Sequence, residues 1–152
     1  YDITVDSGAA HSVANGDTWP SIRREESEGS KSGQVYLGPG QERTPNRGQK
    51  KLRIRTANDQ TPKSMVFQDA NVRKPLAAVS GITAKGNVVF FDKKGSFIAP
   101  ADCQEVEDIR RLMARVKHRI HLEEKKGVYI MPIWVKEGND ETRKAPFTRQ
   151  GK

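Results

Sequence analysis

Up to residue 98 the apolar positions come in short runs, each closed by a turn signal, and the spacing is that of strands rather than helices. Ile3-Thr4-Val5 predicts a strand with Ile3 and Val5 on one face, ending at Asp6. Residues 23–34, RREESEGSKSGQ, hold no apolar periodicity and predict an exposed loop. Val35-Tyr36-Leu37 then runs into Gly38-Pro39-Gly40 and Gln41-Glu42-Arg43-Thr44, the pattern of a β-hairpin with a glycine-rich tip. Lys51-Leu52-Arg53-Ile54-Arg55 alternates cleanly and predicts a half-buried strand with a cationic outer face. A turn at Asn58-Asp59 leads to a strand at Ser64–Phe67, and residues 75–83 suit either a short helix or a strand with a turn. The continuous run Val88-Val89-Phe90-Phe91 predicts a fully buried strand, and Lys94-Gly95 turns the chain into Ser96-Phe97-Ile98.

After Pro100 the period changes. Asp102 followed by Glu105 resembles a capping box, and Val106, Ile109, Met113 and Val116 recur at helical spacing. Lys125-Lys126-Gly127 closes this region. Val128–Met131 and Ile133–Val135 then predict a strand interrupted at Pro132, a residue suited to an edge or a bulge. The pattern therefore divides the chain into a β unit at 1–100, an amphipathic helical insertion at 101–122 and a strand segment at 123–135. A polar, disordered tail is expected at 136–152.

Composition narrows the function. In 152 residues the hydrophobic fraction is 34%, enough for one core but leaving a good share of the chain outside it. Lys and Arg outnumber Asp and Glu by 27 to 19, so an acidic partner or weak nucleic-acid contact through a basic surface is open to this chain. A single Cys103 excludes an internal disulfide framework and a multi-cysteine zinc site, and fits an intracellular, cytoplasmic setting. No apolar run approaches a membrane span and no signal peptide precedes Tyr1, so a membrane is not an expected partner. The chain starts without Met and enters a strand almost at once, as a piece excised from a longer polypeptide does.

The chemistry centres on Asp6-Ser7-Gly8. Taken alone, the triplet is an Asx or Ser turn ending a strand. It also delivers a carboxylate on a stiff strand, and two such carboxylates close together cannot both ionise: one keeps a proton while the other activates water. A homodimer with a two-fold axis through the site supplies the second Asp6. Ser7 is then placed to bond across the axis, with Gly8 leaving room for the backbones to approach. His118 and His121 stand at H-x-x-H spacing without a Cys or carboxylate to complete a metal set, so no metal and no cofactor are expected.

VDSGA, the hairpin, KLRIR, MVFQDANV and KPLAAVSGITAKGNVVFFDKKGSFI follow one another in the order of a retropepsin-like aspartic protease. The likeness is nearest to the protease region of copia-type retrotransposon Gag-Pol polyproteins, and GVYIMPIWV is similar to the segment that follows the protease there. The resemblance implies a mainly β fold, a small closed β-barrel, to which this chain adds a C-terminal helix that the family pattern lacks and a C-terminal strand. It implies Asp6, Ser7 and Gly8 as the catalytic triplet, and Leu37, Gly38, Pro39, Gly40 and Gln41 as a substrate-binding flap. Leu76 to Ile82 takes the place of the hydrophobic segment and short helix behind the active site. The activity implied is aspartic endopeptidase cleavage of extended polypeptide, with an acid-shifted optimum because the Asp6 pair shares a proton. His11 stands five positions after the aspartate where such sites often have His at six, and Ser12 holds the sixth. Two alternatives stay open. One is a catalytically inactive remnant of that fold. The other is a basic nucleic-acid-binding module, with Lys50, Lys51, Arg53 and Arg55 lining one strand face and Arg110, Arg111 and Arg115 one side of the helix.

Overall fold

The computed structural model describes residues 1–38, 40–136 and 148–150. In chain order these form β1 (Thr4–Asp6), β2 (Val13–Ala14), a 3₁₀ turn (Gly16–Thr18), α1 (Glu28–Lys31), β3 (Val35–Leu37) and β4 (Arg43–Pro45). Next come β5 (Gln49–Thr56), β6 (Asp59–Asp69), β7 (Leu76–Ala78), α2 (Val79–Ala84), β8 (Asn87–Phe90) and β9 (Phe97–Pro100). The last are α3 (Gln104–Met113), β10 (Glu123–Lys125), β11 (Val128–Ile130), β12 (Ile133–Val135) and β13 (Thr148–Gln150). The molecule is mainly β, with 38% strand against 17% helix.

One mixed sheet carries the structure, in the order β1-β7-β2-β6-β5. The long hairpin β5–β6 supplies most of its ladder, in antiparallel register from Gln49 opposite Gln68 to Ile54 opposite Lys63. Short parallel pairings then add β2 to β6, through Val13 opposite Gln68, and β1 to β7, through Asp6 opposite Ala78. Strand β7 lies between β1 and β2, so the chain that leaves Asp6 returns on the far side of Leu76–Ala78. For residues 75–83 both sequence readings hold in turn, a strand and then a short helix.

The closed barrel expected from sequence is not found. The sheet is open, ending at β1 and β5, and the other strands pair only as β3–β4, β8–β9, β10–β11 and β12–β13 among the described residues. Strands of two to four residues offer too few ladder bonds to bridge from one edge to the other. The expected tail lies outside the described residues except for Lys136 and β13, which pairs antiparallel with β12.

The core gathers Ala14, Trp19, Leu52 and Phe67, with Ile3, Ile22, Ile54 and Met65 packed against it. Trp19 and Phe67 meet at 5.1 Å between ring centroids. The alternation of β5 that exposes Lys51, Arg53 and Arg55 turns Lys50, Leu52 and Ile54 inward. Lys50 is therefore buried, its Nζ donating to the carbonyls of Gly16 and, at 2.7 Å, of Trp19. Its expected place on the cationic face is corrected by the two-residue period of the strand itself.

A second buried polar group ties the loops to this core. Asp69, 2% exposed, accepts from Gly16 N–H at 2.8 Å, Arg24 Nη1 at 3.1 Å and Arg47 Nη2 at 2.9 Å. Its own N–H donates to the carbonyl of Gly48 at 2.8 Å. Gly48 has φ +127, and a Cβ there would stand 2.4 Å from the Glu25 carbonyl oxygen, so only glycine fits this crossing without strain.

Beyond α2 the chain has little interior. Phe90 and Phe97 stack at 5.0 Å across β8–β9 but are 39% and 45% exposed, and Phe91 is 61% exposed. The buried strand expected at 88–91 is thus one face of a two-stranded hairpin, with Val88 and Val89 half-buried. Helix α3 starts one residue later than a capping box at Asp102 requires. Its N-cap is Cys103, with no side-chain cap bond, and Val106 is its buried residue. It ends at Met113, so Arg115, Val116, His118 and His121 lie beyond it. No helix among the described residues is long and apolar enough to cross a membrane.

Asp69→Asn keeps the shape of the side chain and removes the charge that two guanidinium groups and an amide share. A loss of about 2–4 kcal/mol is expected, read as a lower urea midpoint. Glu107→Gln, which breaks the exposed Arg110–Glu107 pair on α3, costs less than about 1 kcal/mol in the same assay. Equal shifts for the two variants would remove Asp69 from its structural role.

Candidate active site

Asp6 is the last residue of β1, half-buried, and the chain turns sharply after it through exposed Ser7 and Gly8. The turn is held by Gly8 N–H donating to Asp6 Oδ1 at 2.8 Å. This is the bond of an Asx turn, and it fixes the carboxylate plane while Oδ2 accepts no hydrogen bond among the described residues. The strand is backed by β7 in parallel register, with Thr4 N–H donating to the Pro75 carbonyl at 3.1 Å. Strand β7 (Leu76–Ala78) is the parallel neighbour of the aspartate strand, with Ala77 and Ala78 buried, and buried Val79 carries the chain on into α2.

The loop from Ser7 to Ser12 is fastened at its far end as well. Ser12 Oγ accepts from Ala78 N–H at 2.9 Å, joining the loop to the residue opposite Asp6. His11 Nδ1 lies 3.5 Å from Gln34 Nε2, and its ring meets Tyr36 edge-on at 5.9 Å. These contacts connect the aspartate loop to the β3–β4 hairpin through the base of that hairpin.

The base is itself a polar cluster around buried Asn46. Asn46 Nδ2 stands 3.1 Å from Gln34 Oε1, 3.3 Å from Tyr36 Oη and 2.9 Å from Gln68 Oε1, its two hydrogens shared among three acceptors. Its Oδ1 accepts from Gly48 N–H at 2.9 Å and Ser27 Oγ at 3.3 Å. At the other end, Gly38 N–H donates to the Glu42 carbonyl at 2.8 Å and Gln41 N–H to the Gly38 carbonyl at 3.0 Å. Gln41 takes φ +66 there, and Leu37 is 64% exposed. Of the five expected flap residues, Leu37, Gly38, Gly40 and Gln41 thus surround a hairpin tip, and Pro39 lies outside the described residues.

The expected basic surface is reduced by its own pairings. Lys51 Nζ stands 3.3 Å from Glu25 Oε1, Arg111 2.5 Å from Asp108, and Arg110 pairs with Glu107. The Glu25 carboxyl is held below its usual range by the Gln49 amide first and by Lys51 second. Arg53 and Arg55 remain as exposed cations of β5 with no ion pair among the described residues.

Sequence reasoning singles out Asp6-Ser7-Gly8 because the triplet is local. It missed Ser12, Gln34 and Asn46 as parts of the loop's support, and placed Tyr36 only as a strand residue of the hairpin. Asn46 stands between Pro45 and Arg47-Gly48, where turn chemistry reads as exposed, and nothing in the spacing marks it as buried. Among known proteins, no family model, no curated protein and no solved structure matches the chain.

Burial raises the Tyr36 phenol above its ordinary value of 10.0, opposed by the hydrogen bond from Asn46. A raised value in the folded state means that the unfolded chain loses this proton first as the solution turns alkaline. The contribution of Tyr36 to stability is therefore fully present below pH 10.0 and is lost as pH rises toward the folded-state value. Tyr36→Phe should make that alkaline fall shallower while keeping the contact with His11, as read by urea midpoints across the alkaline range. An unchanged slope would show that Tyr36 is not the group responsible.

Proposed function

We propose that the chain is the catalytic part of a retropepsin-like aspartic endopeptidase, acting on extended polypeptide as a homodimer of two copies. The observation that carries the reading is the setting of Asp6. It stands at the end of a strand backed by an apolar parallel neighbour, with one carboxylate oxygen held by Gly8 N–H and the other uncommitted among the described residues. A two-fold axis through the Ser7-Gly8 turn brings a second Asp6 against the first, and the pair shares one proton. The ionised carboxylate takes a proton from water as the water oxygen attacks the peptide carbonyl. The protonated carboxylic acid gives its proton to the carbonyl oxygen. Collapse of the tetrahedral intermediate then returns a proton to the departing amine, with no covalent enzyme intermediate.

The β3–β4 hairpin supports the same reading from the substrate side. Its base is tied to the aspartate loop through His11, and a hairpin anchored in this way is the kind of element that closes over an extended peptide. The substrate we infer is the polyprotein of which this chain is a part, of the copia-type retrotransposon kind, in keeping with the order of its sequence segments.

The test is cleavage of a diverse peptide library at mildly acidic pH, comparing this chain with Asp6→Asn and repeating both with an N-terminal extension. Cleavage is expected and should fall by about 10³-fold or more in Asp6→Asn, whose shape is unchanged. Cleavage that survives in Asp6→Asn would rule out the aspartate mechanism. No cleavage by any form would leave the inactive remnant, and salt-sensitive binding of nucleic acid by that inactive chain would favour the basic module instead.

A further inference from the structure

Beyond the triplet and the hairpin, we propose that β10–β11 is a brace for the aspartate loop and that Tyr129 is a positioning residue for Asp6; this rests on the aspartic-protease reading above. The sequence set residues 123–135 apart from the β unit, as a segment following it. Three contacts join them to the site. Tyr129 N–H donates to the Ser7 carbonyl at 3.0 Å. The Tyr129 hydroxyl lies 2.6 Å from Thr83 Oγ1 on α2. Gly127, at φ +84 in the turn between β10 and β11, packs so closely on the loop that a Cβ would stand 2.9 Å from the Ala10 carbonyl oxygen.

The first contact matters because of what a peptide bond is. Ser7 C=O and Gly8 N–H belong to one planar unit and rotate together. The Gly8 N–H is the donor that holds Asp6 Oδ1 at 2.8 Å. Fixing the carbonyl from one side therefore fixes the donor on the other, and each bond polarises the next. The chain of contacts runs from Thr83, through the Tyr129 hydroxyl and amide, across the Ser7–Gly8 peptide, to the reactive carboxylate. Thr83 stands on α2, which follows directly from the strand paired with β1, so the brace closes on the same backing that supports Asp6 from behind.

The experiment uses the full chain and its variants Tyr129→Phe, Thr83→Val, Thr83→Ser and Gly127→Val. Amide hydrogen exchange is read at Gly8, with Leu52 and Phe67 reporting the sheet. Loss of the hydroxyl contact in Tyr129→Phe or Thr83→Val should speed exchange at Gly8 by about three- to tenfold. Thr83→Ser keeps the hydroxyl and should match the parent, and the double variant Tyr129→Phe with Thr83→Val should add little to either single one. Gly127→Val, which drives the turn off Ala10, should have the larger effect, with Leu52 and Phe67 still protected. On a cleaved peptide the same variants should lower kcat and leave KM nearly unchanged. Unchanged exchange at Gly8 in Tyr129→Phe and Thr83→Val would overturn the brace, and those two decide the matter if Gly127→Val unfolds. Exchange needs no activity, so the brace is judged separately even where neither the parent nor its N-terminally extended form cleaves a peptide.

Discussion

The carboxylate of Asp69 is where the separate pieces of this chain are made to agree. Gly16 arrives from the turn after β2, Arg24 from the loop before α1, and Arg47 from the end of the β3–β4 hairpin, all onto two oxygen atoms. An anion in a buried position is costly unless it is hydrogen-bonded and balanced, so these three donors are bound to it as firmly as it is to them. Since Asp69 ends β6, the long hairpin sets the position of the loops, and the loops in turn set β2. The aspartate loop hangs between β1 and β2, and its geometry is inherited from that junction.

Asn46 plays a neutral counterpart beside it. Its amide joins β6 through Gln68, the helical turn through Ser27 and the hairpin through Gln34 and Tyr36. A neutral hub can trade partners at small cost, since two hydrogens already serve three acceptors, whereas the Asp69 junction is held by charge.

How much of this was legible follows from what leaves a local trace. The alternation in KLRIR, the turns at 38–40 and 58–59, and the change of period after Pro100 all concern residues near one another, and they gave strands, hairpins and a helix in the right order. The face of Lys50 was misjudged because its charge was weighed above its parity with Leu52 and Ile54. The run at 88–91 looked buried because apolarity alone does not reveal whether a second layer exists to cover it. Closure of the sheet depends on which edges meet, and no short stretch encodes that. The triplet at 6–8 was visible for the same reason as the turns. Its supports, Ser12 to Ala78, His11 to Gln34 and Tyr129 to Ser7, join positions far apart in the chain and leave no periodic signature.

The two ends of the open sheet are chemically unlike, and this bears on how copies of the chain approach one another. At one end β5 presents a long backbone edge bordered by Arg53 and Arg55, with like charges facing any identical edge that draws near. At the other end β1 is three residues long and finishes in Asp6. Repulsion discourages a continuous sheet through the first edge, whose length would otherwise make it the more adhesive of the two. In the dimer proposed above, copies would then meet at the short edge, where little backbone is free to stick and the geometry of the turn would decide whether the meeting lasts.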